Sequence, residues 1–121
     1  MIYVASPYSD PDPQVQYNRY VQAMSLIQGL MERELPVFSP IVHCHEIALR
    51  FGLPGTAAYW QQYNTAFLRK ADAMYILEID GWKESKGIRQ EALLSLDLNI
   101  PVFNVSLGGR ISTGRVNELG T

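Results

Sequence analysis

The sequence predicts an α/β domain, a three-layer sandwich with helices on both faces of a mainly parallel sheet of about four to five strands. Three observations carry this expectation. Short apolar, β-prone runs alternate with longer stretches in which apolar residues recur at three and four. The run Met74, Tyr75, Ile76, Leu77 hardly alternates, as expected of a central parallel strand covered on both sides. A chain of 121 residues suffices for one core and is short for two.

The chain opens on "MIYVAS", where Ile2, Tyr3 and Val4 predict a buried strand. "SPYSDPDP" follows as a loop of turn formers. Asp12 is the expected helix cap, with Pro13 at the first helical position, where a missing N–H costs nothing. Tyr17, Tyr20, Val21, Met24, Ile27 and Met31 mark the apolar stripe of a helix lasting to about Glu34. "LPVFSP" is the second strand, closed by Pro40, and "IVHCHEIALRFGLPG" is expected as a loop with a short helix ending near Gly52. Ala58, Tyr59, Gln62, Tyr63, Ala66 and Phe67 space a second long helix, capped by Thr56. "AMYILEI" is the third strand. "GWKESKGIRQEALLS" turns into a third long helix running to about Leu98, and "IPVFNV" is the last strand. Residues 1–105 thus form the domain. The tail 106–121 is glycine-rich without a period, and is expected to wander or to dock on a neighbouring subunit.

Composition narrows the partners. Hydrophobic residues at 47% and charged residues at 18% describe a globular chain. Ten basic against twelve acidic residues give a net charge of -2, with no cationic field to gather polymeric nucleic acid. Cys44 is alone, so no intrachain disulfide forms, and no apolar run approaches the roughly 20 residues of a membrane span. No basic stretch followed by an apolar run opens the chain, which makes the cytoplasm the expected compartment.

Open parallel sheets bind ligands beyond the carboxyl ends of their strands. That rule selects the loops Ser6 to Pro13, Ser39 to Glu46, Asp80 to Gly87 and the stretch after Val105. The first holds Ser6, Tyr8 and Ser9, the second His43 and His45. In the third, Ser85 and Gly87 open a helix whose free N–H groups suit a phosphate or carboxylate, Gly87 having no Cβ to hold a ligand off the backbone. This Ser-x-Gly lacks the Lys of a P-loop and the three glycines of a dinucleotide fingerprint, so neither ATP hydrolysis nor a nicotinamide cofactor is expected.

Two roles fit Glu91. It complements the helix dipole, or, since its helical neighbours Ile88, Ala92 and Ser95 are apolar or small, it faces the strand ends as a reactive group. Ser85 likewise fits either a plain N-cap or a phosphate donor. For His43-x-His45-Glu46 a metal site is disfavoured, because one cysteine and no second acidic cluster stand at ligand spacing; substrate contact or loop packing is expected. Trp60 and Trp82 offer faces for a base, although a tryptophan placed like Trp60 on the second long helix is more often plain core.

"IYVASPYS", "FSPIVHCHE", "LRKADAMYILEIDGW" and "SKGIRQE", in this order, resemble the nucleoside 2-deoxyribosyltransferase superfamily, in particular a small branch of short bacterial and phage proteins. The resemblance covers about Ile2 to Val105. It implies a flavodoxin/Rossmann-like fold and a glutamate, Glu91, that attacks the anomeric carbon of a nucleoside or nucleotide with retention, through a glycosyl ester. It implies that Tyr3 hydrogen-bonds and aims this carboxylate. Relatives acting on free nucleosides carry an aspartate six residues before the nucleophile, whereas those hydrolysing nucleoside monophosphates carry serine. Ser85 therefore implies a 5′-monophosphate, with Ser9 and Ser6 as further donors. Asn64 departs from the pattern, which has an aspartate there to manage the leaving base's proton. An amide orients but cannot protonate, leaving His43 or His45 for that task.

The activity so implied is an N-glycosidase that hydrolyses a (2′-deoxy)nucleoside 5′-monophosphate to base and sugar 5-phosphate. Base exchange between nucleosides, and a non-catalytic nucleotide-binding domain, are the alternatives. The resemblance also implies a homodimer or higher homo-oligomer whose neighbouring subunit completes the pocket, with Asn104 and Ser106 near that junction.

Overall fold

The computed structural model describes residues 1–115. The elements run β1 (Ile2–Ala5), α1 (Pro13–Glu32), β2 (Val37–Phe38), α2 (Pro40–Phe51), α3 (Ala57–Leu68), β3 (Ala73–Leu77), α4 (Lys86–Asp97), β4 (Val102–Val105) and β5 (Ile111–Arg115). They form one five-stranded sheet of order β2-β1-β3-β4-β5, parallel except for β5, which pairs antiparallel with β4. The predicted α/β sandwich with a mainly parallel sheet is what the chain forms.

Period-two alternation divides the core between the two faces of the sheet. Val4, Leu77 and Val105 pack with Ala23, Leu26, Ile27 and Leu30 of α1 on one side. Tyr3, Ala5, Met74, Ile76 and Val102 pack with Leu68 of α3 and with Ile88 and Ala92 of α4 on the other. Each fully buried large side chain contributes about 1.5–3 kcal/mol relative to exposure.

Helix starts follow one chemistry. Asp12, Ser39, Thr56 and Ser85 each cap an N-terminus, their side chains accepting from Gln14, Val42, Tyr59 and Ile88 N–H respectively. Three expectations need correction. The segment after the second strand is a full helix from Pro40, not a loop with a short helix, so His43 and His45 are helical. Ser39-Pro40 is an N-cap followed by proline, the same signal as Asp12-Pro13, and not merely the end of a strand. The predicted stripe on α1 is also rotated. Tyr17 is 51% and Met31 62% exposed, Val21 and Met24 are exposed as well, and the buried face is Tyr20, Ala23, Leu26, Ile27 and Leu30. Ala23 lets the helix come close to the sheet, and it is too small to stand out in a stripe of large residues.

The third correction concerns the segment after Val105. It turns at Gly109, with φ +86°, and returns as β5. Ser106 N–H donates to the Arg110 carbonyl at 2.9 Å to close the turn. Predicted positions beyond residue 115 lie outside the described residues. No helix among the described residues is long and apolar enough to cross a membrane.

Candidate active site

Sheet order marks the place where a sheet of this kind would take a ligand. β1 leads into α1 on one face, while β3, beside it, leads into α4 on the other. Their loops part at the carboxyl ends, the switch point at which α/β sheets commonly bind ligands in a crevice.

Tyr3 and Glu91 meet between β1 and α4. Tyr3 lies in register with Phe38 of β2 and Met74 of β3, on the face covered by α3 and α4. Glu91 comes from α4 one turn after buried Ile88 and beside buried Ala92, a spacing that turns it inward. The Tyr3 hydroxyl donates to Glu91 Oε2. Although Glu91 keeps part of its surface, its carboxyl group is deeply enclosed. Burial raises its pKa from 4.5 to about 7, against the Tyr3 hydrogen bond, which lowers it. Burial, together with the charge of Glu91, pushes the Tyr3 phenol far above its ordinary range, so it stays protonated and remains a donor. The pair is thus a desolvated carboxyl held by one neutral donor, able to ionise near neutrality.

The surroundings of this pair are aromatic. Phe38 lies 6.1 Å from Tyr3, centroid to centroid, and stacks on Phe67 of α3 at 4.1 Å and 6°. His43, exposed to solvent, is 5.5 Å from Phe38 and 6.5 Å from Phe67. Tyr63 is 5.4 Å from Phe67. Neither phenylalanine is marked out in the sequence as a site residue. Phe38 had a signal, at the carboxyl end of the strand beside Tyr3, whereas Phe67 reads as ordinary helix core.

Among the described residues, three buried side-chain atoms have no hydrogen-bond partner: Ser6 Oγ, Asn64 Oδ1 and Asn104 Oδ1. Ser6 follows the last residue of β1. Asn64 stands one turn before core residue Leu68 on α3, and Asn104 is in register with Ile76, on the face that carries Tyr3 and Ala5. Native interiors seldom leave such groups unpaired.

The remaining predicted positions diverge. His45 is buried, stacked on Tyr20 at 3.9 Å and 16°, with Nδ1 2.6 Å from the Tyr8 hydroxyl. Burial lowers its pKa, against the charge of Glu46, which raises it. It thus joins α2 to α1 and to the β1–α1 loop. Trp60 donates its indole N–H to the Pro54 carbonyl at 2.8 Å, and its ring neighbours are Tyr59 and Tyr63, so it braces the turn into α3. Trp82 packs at the edge of the core cluster that contains Tyr3. Ser9 is exposed, and its carbonyl accepts from Arg19 at 3.0 Å. Ser85 is the N-cap of α4, with its Oγ accepting from Ile88 N–H at 3.2 Å and its own hydroxyl proton still to place. A Cβ on Gly87 would stand 3.9 Å from that Oγ, ordinary contact, so nothing within the fold demands glycine there. No group of three or more His, Cys, Asp or Glu among the described residues is placed to hold a metal ion.

Gly81, in the β3–α4 loop, is demanded. Its φ is +96°, and a Cβ would lie 2.5 Å from Arg19 Nη2. Gly81→Ala is expected to destabilise the protein by about 1–3 kcal/mol, read from the urea midpoint at constant m-value.

A family model described as "Domain of unknown function (DUF1937)" matches residues 1–107. Among solved structures, a 2-deoxyribosyltransferase from the psychrotolerant bacterium Bacillus psychrosaccharolyticus is similar at 23% sequence identity and a TM-score of 0.56, over 93% of this chain and 76% of that one. The fold is therefore nucleoside 2-deoxyribosyltransferase-like, and a likeness at this identity speaks to fold alone. No curated protein sequence matches the chain.

Proposed function

We propose that this chain, which belongs to the DUF1937 family, breaks the N-glycosidic bond of a nucleoside or nucleotide through a glycosyl ester on Glu91. The buried Tyr3–Glu91 pair carries the reading. An ionised Glu91 oxygen attacks C1′, the C1′–N bond breaks, and its electron pair leaves with the base, which takes up a proton. An acceptor then attacks C1′ from the vacated side and frees the carboxylate. Tyr3 holds the carboxylate in line and, as it leaves the ester, restores its hydrogen bond.

The aromatic wall of Phe38 and Phe67 suits a base, and the unpaired Asn64 Oδ1 suits a donor on its polar edge. Asn64 has no proton to give, and His45 is engaged by Tyr8. His43, at the solvent side of the same wall, is the imidazole left to protonate the leaving base. Transfer to a second base is the acceptor step that the solved neighbour's description, a 2-deoxyribosyltransferase, favours. The experiment is base release and base exchange over a panel of nucleosides and their 5′-monophosphates. Loss of both on replacing Glu91 supports the reading, and no cleavage of any member by the parent protein sinks it.

Hydrolysis of a 5′-monophosphate is the second reading, favoured by one observation: the hydroxyl of Ser85 at the N-terminus of α4, beside Gly87, which has no side chain to stand between a ligand and the first turn. Ser85→Asp tests it cleanly, because aspartate caps as well as serine. On this reading the variant folds like the parent and its KM for a monophosphate rises ~10-fold or more, while unphosphorylated nucleosides are little affected. Equal change for both substrates removes the phosphate from this position.

A further inference from the structure

We infer that Arg19 is a positioning residue that ties together the two loops on either side of the β1/β3 crevice and so sets the width of the substrate's entrance. The inference rests on the N-glycosidic reading of the same crevice. Arg19 leaves α1 about two turns beyond its cap, and its side chain is only 16% exposed. On one side Nη1 donates to the carbonyl of Ser9 at 3.0 Å, approaches that of Tyr8 at 3.5 Å, and lies 4.0 Å from the Asp10 carboxylate. On the other side the guanidinium packs on Gly81, where a Cβ would stand 2.5 Å from Nη2 and would push the guanidinium aside. One planar cation therefore touches the loop that follows β1 and the loop that follows β3.

The chemistry fits a tether better than a surface charge. Backbone carbonyls at the end of a strand need donors, and a guanidinium supplies several in a fixed plane, which an ammonium cannot. Hydrogen bonds from a charged donor are stronger than neutral ones, and the Arg19 side chain is mostly covered, with its bond to the Ser9 carbonyl at the surface. The segments it holds are the ones that would frame a ligand: Ser6 and Ser9 belong to the first loop, and the second leads into Ser85 and the start of α4. Freeing either loop would widen the crevice and leave the Tyr3–Glu91 pair intact.

The test uses the full chain with Arg19→Ala, Arg19→Lys and Gly81→Ala, followed by hydrogen exchange and by kinetics on the best substrate of the panel. In Arg19→Ala, exchange is expected to rise about tenfold or more at residues 8–10 and 80–82 together, with β1 and β3 unchanged. KM should rise by a larger factor than kcat falls, and added guanidinium ion should recover part of the loss where ammonium does not. Arg19→Lys keeps the charge but not the fork, and should loosen both loops as well. Gly81→Ala strains its own loop at φ +96° and also crowds the guanidinium, so in this variant the tether is read from residues 8–10, whose exchange should rise beyond any rise shared by the whole chain. Faster exchange in one loop only, a uniform rise over the whole chain, or parent-like protection in Arg19→Lys overturns the tether. Should Arg19→Ala fail to fold, the lysine and Gly81 variants still decide it. Base release that survives Glu91→Gln would instead sink the N-glycosidic reading, and the exchange result would still stand on its own.

Discussion

Glu91→Gln is expected to lose base release by ~10³-fold or more and, at pH 8, to be more stable than the parent protein. The first effect follows from removing the only atom proposed to bond with C1′. The second follows from linkage. The folded-state pKa of Glu91 is raised from 4.5 to about 7, so ionising it is harder in the folded chain than in the unfolded one. Its contribution to stability is therefore complete below pH 4.5 and is lost as pH rises through 7. The loss amounts to about 3 kcal/mol at most, because the residue keeps some contact with solvent. Glutamine keeps the shape, accepts from Tyr3 and never ionises. Thermal melts at pH 5 should nearly coincide, and at pH 8 the variant should melt higher by roughly 5 °C or more. Coincident melts at both pH values would mean that the carboxylate is not desolvated, and the proposed nucleophile would lose its physical basis.

Tyr3→Phe should move the pH profile alkaline while leaving the fold in place. The phenol is the one hydrogen bond that works against burial to lower the Glu91 pKa. Without it the carboxyl stays protonated to higher pH, and kcat/KM at pH 7 should fall ~10- to 100-fold. In the parent protein the rising limb of kcat/KM should lie near pH 7, where Glu91 ionises. In the variant it should move upward, with part of the deficit recovered at pH 9. The same displacement should appear without any substrate, in the carboxyl ¹³C shift of labelled Glu91. A limb that stays where it was, with activity lowered equally at every pH, would limit Tyr3 to packing and alignment.

Much of the fold was legible because the signals are local. Strand runs, helix periods and caps lie within about a dozen residues of one another, and the unalternating Met74 to Leu77 run did mark the central strand. Where the expectation failed, two local signals competed. Ser39-Pro40 serves equally to end a strand and to start a helix, and only packing of α2 against α1 and β2 settles which. Tyr17, Val21, Met24 and Met31 make as good a stripe as the buried one, and sequence does not say which side of α1 the sheet covers. β5 is short and rich in small polar residues, and it exists because β4 offers an edge.

The site was less legible than the fold. Spacing left Glu91 divided between dipole and chemistry, and its pairing with Tyr3 was implied by resemblance alone. His43 and His45 look equivalent on paper, yet a helix sends them in different directions, one to the Phe38–Phe67 wall and the other to Tyr20. Arg19 was invisible for a different reason. Its meaning lies in reaching Gly81, far along the chain, and no local pattern announces such an approach.

Tyr3 and Glu91 stand 88 positions apart, one in the first strand and the other in the last helix. A ribosome therefore releases the phenol long before the acid has been made. The growing chain holds a tyrosine with nothing to bind, and no half-built intermediate has a working nucleophile. Turnover by this protein would thus report that a loop of 88 positions has closed, and would serve as a sensitive gauge of folding in cells.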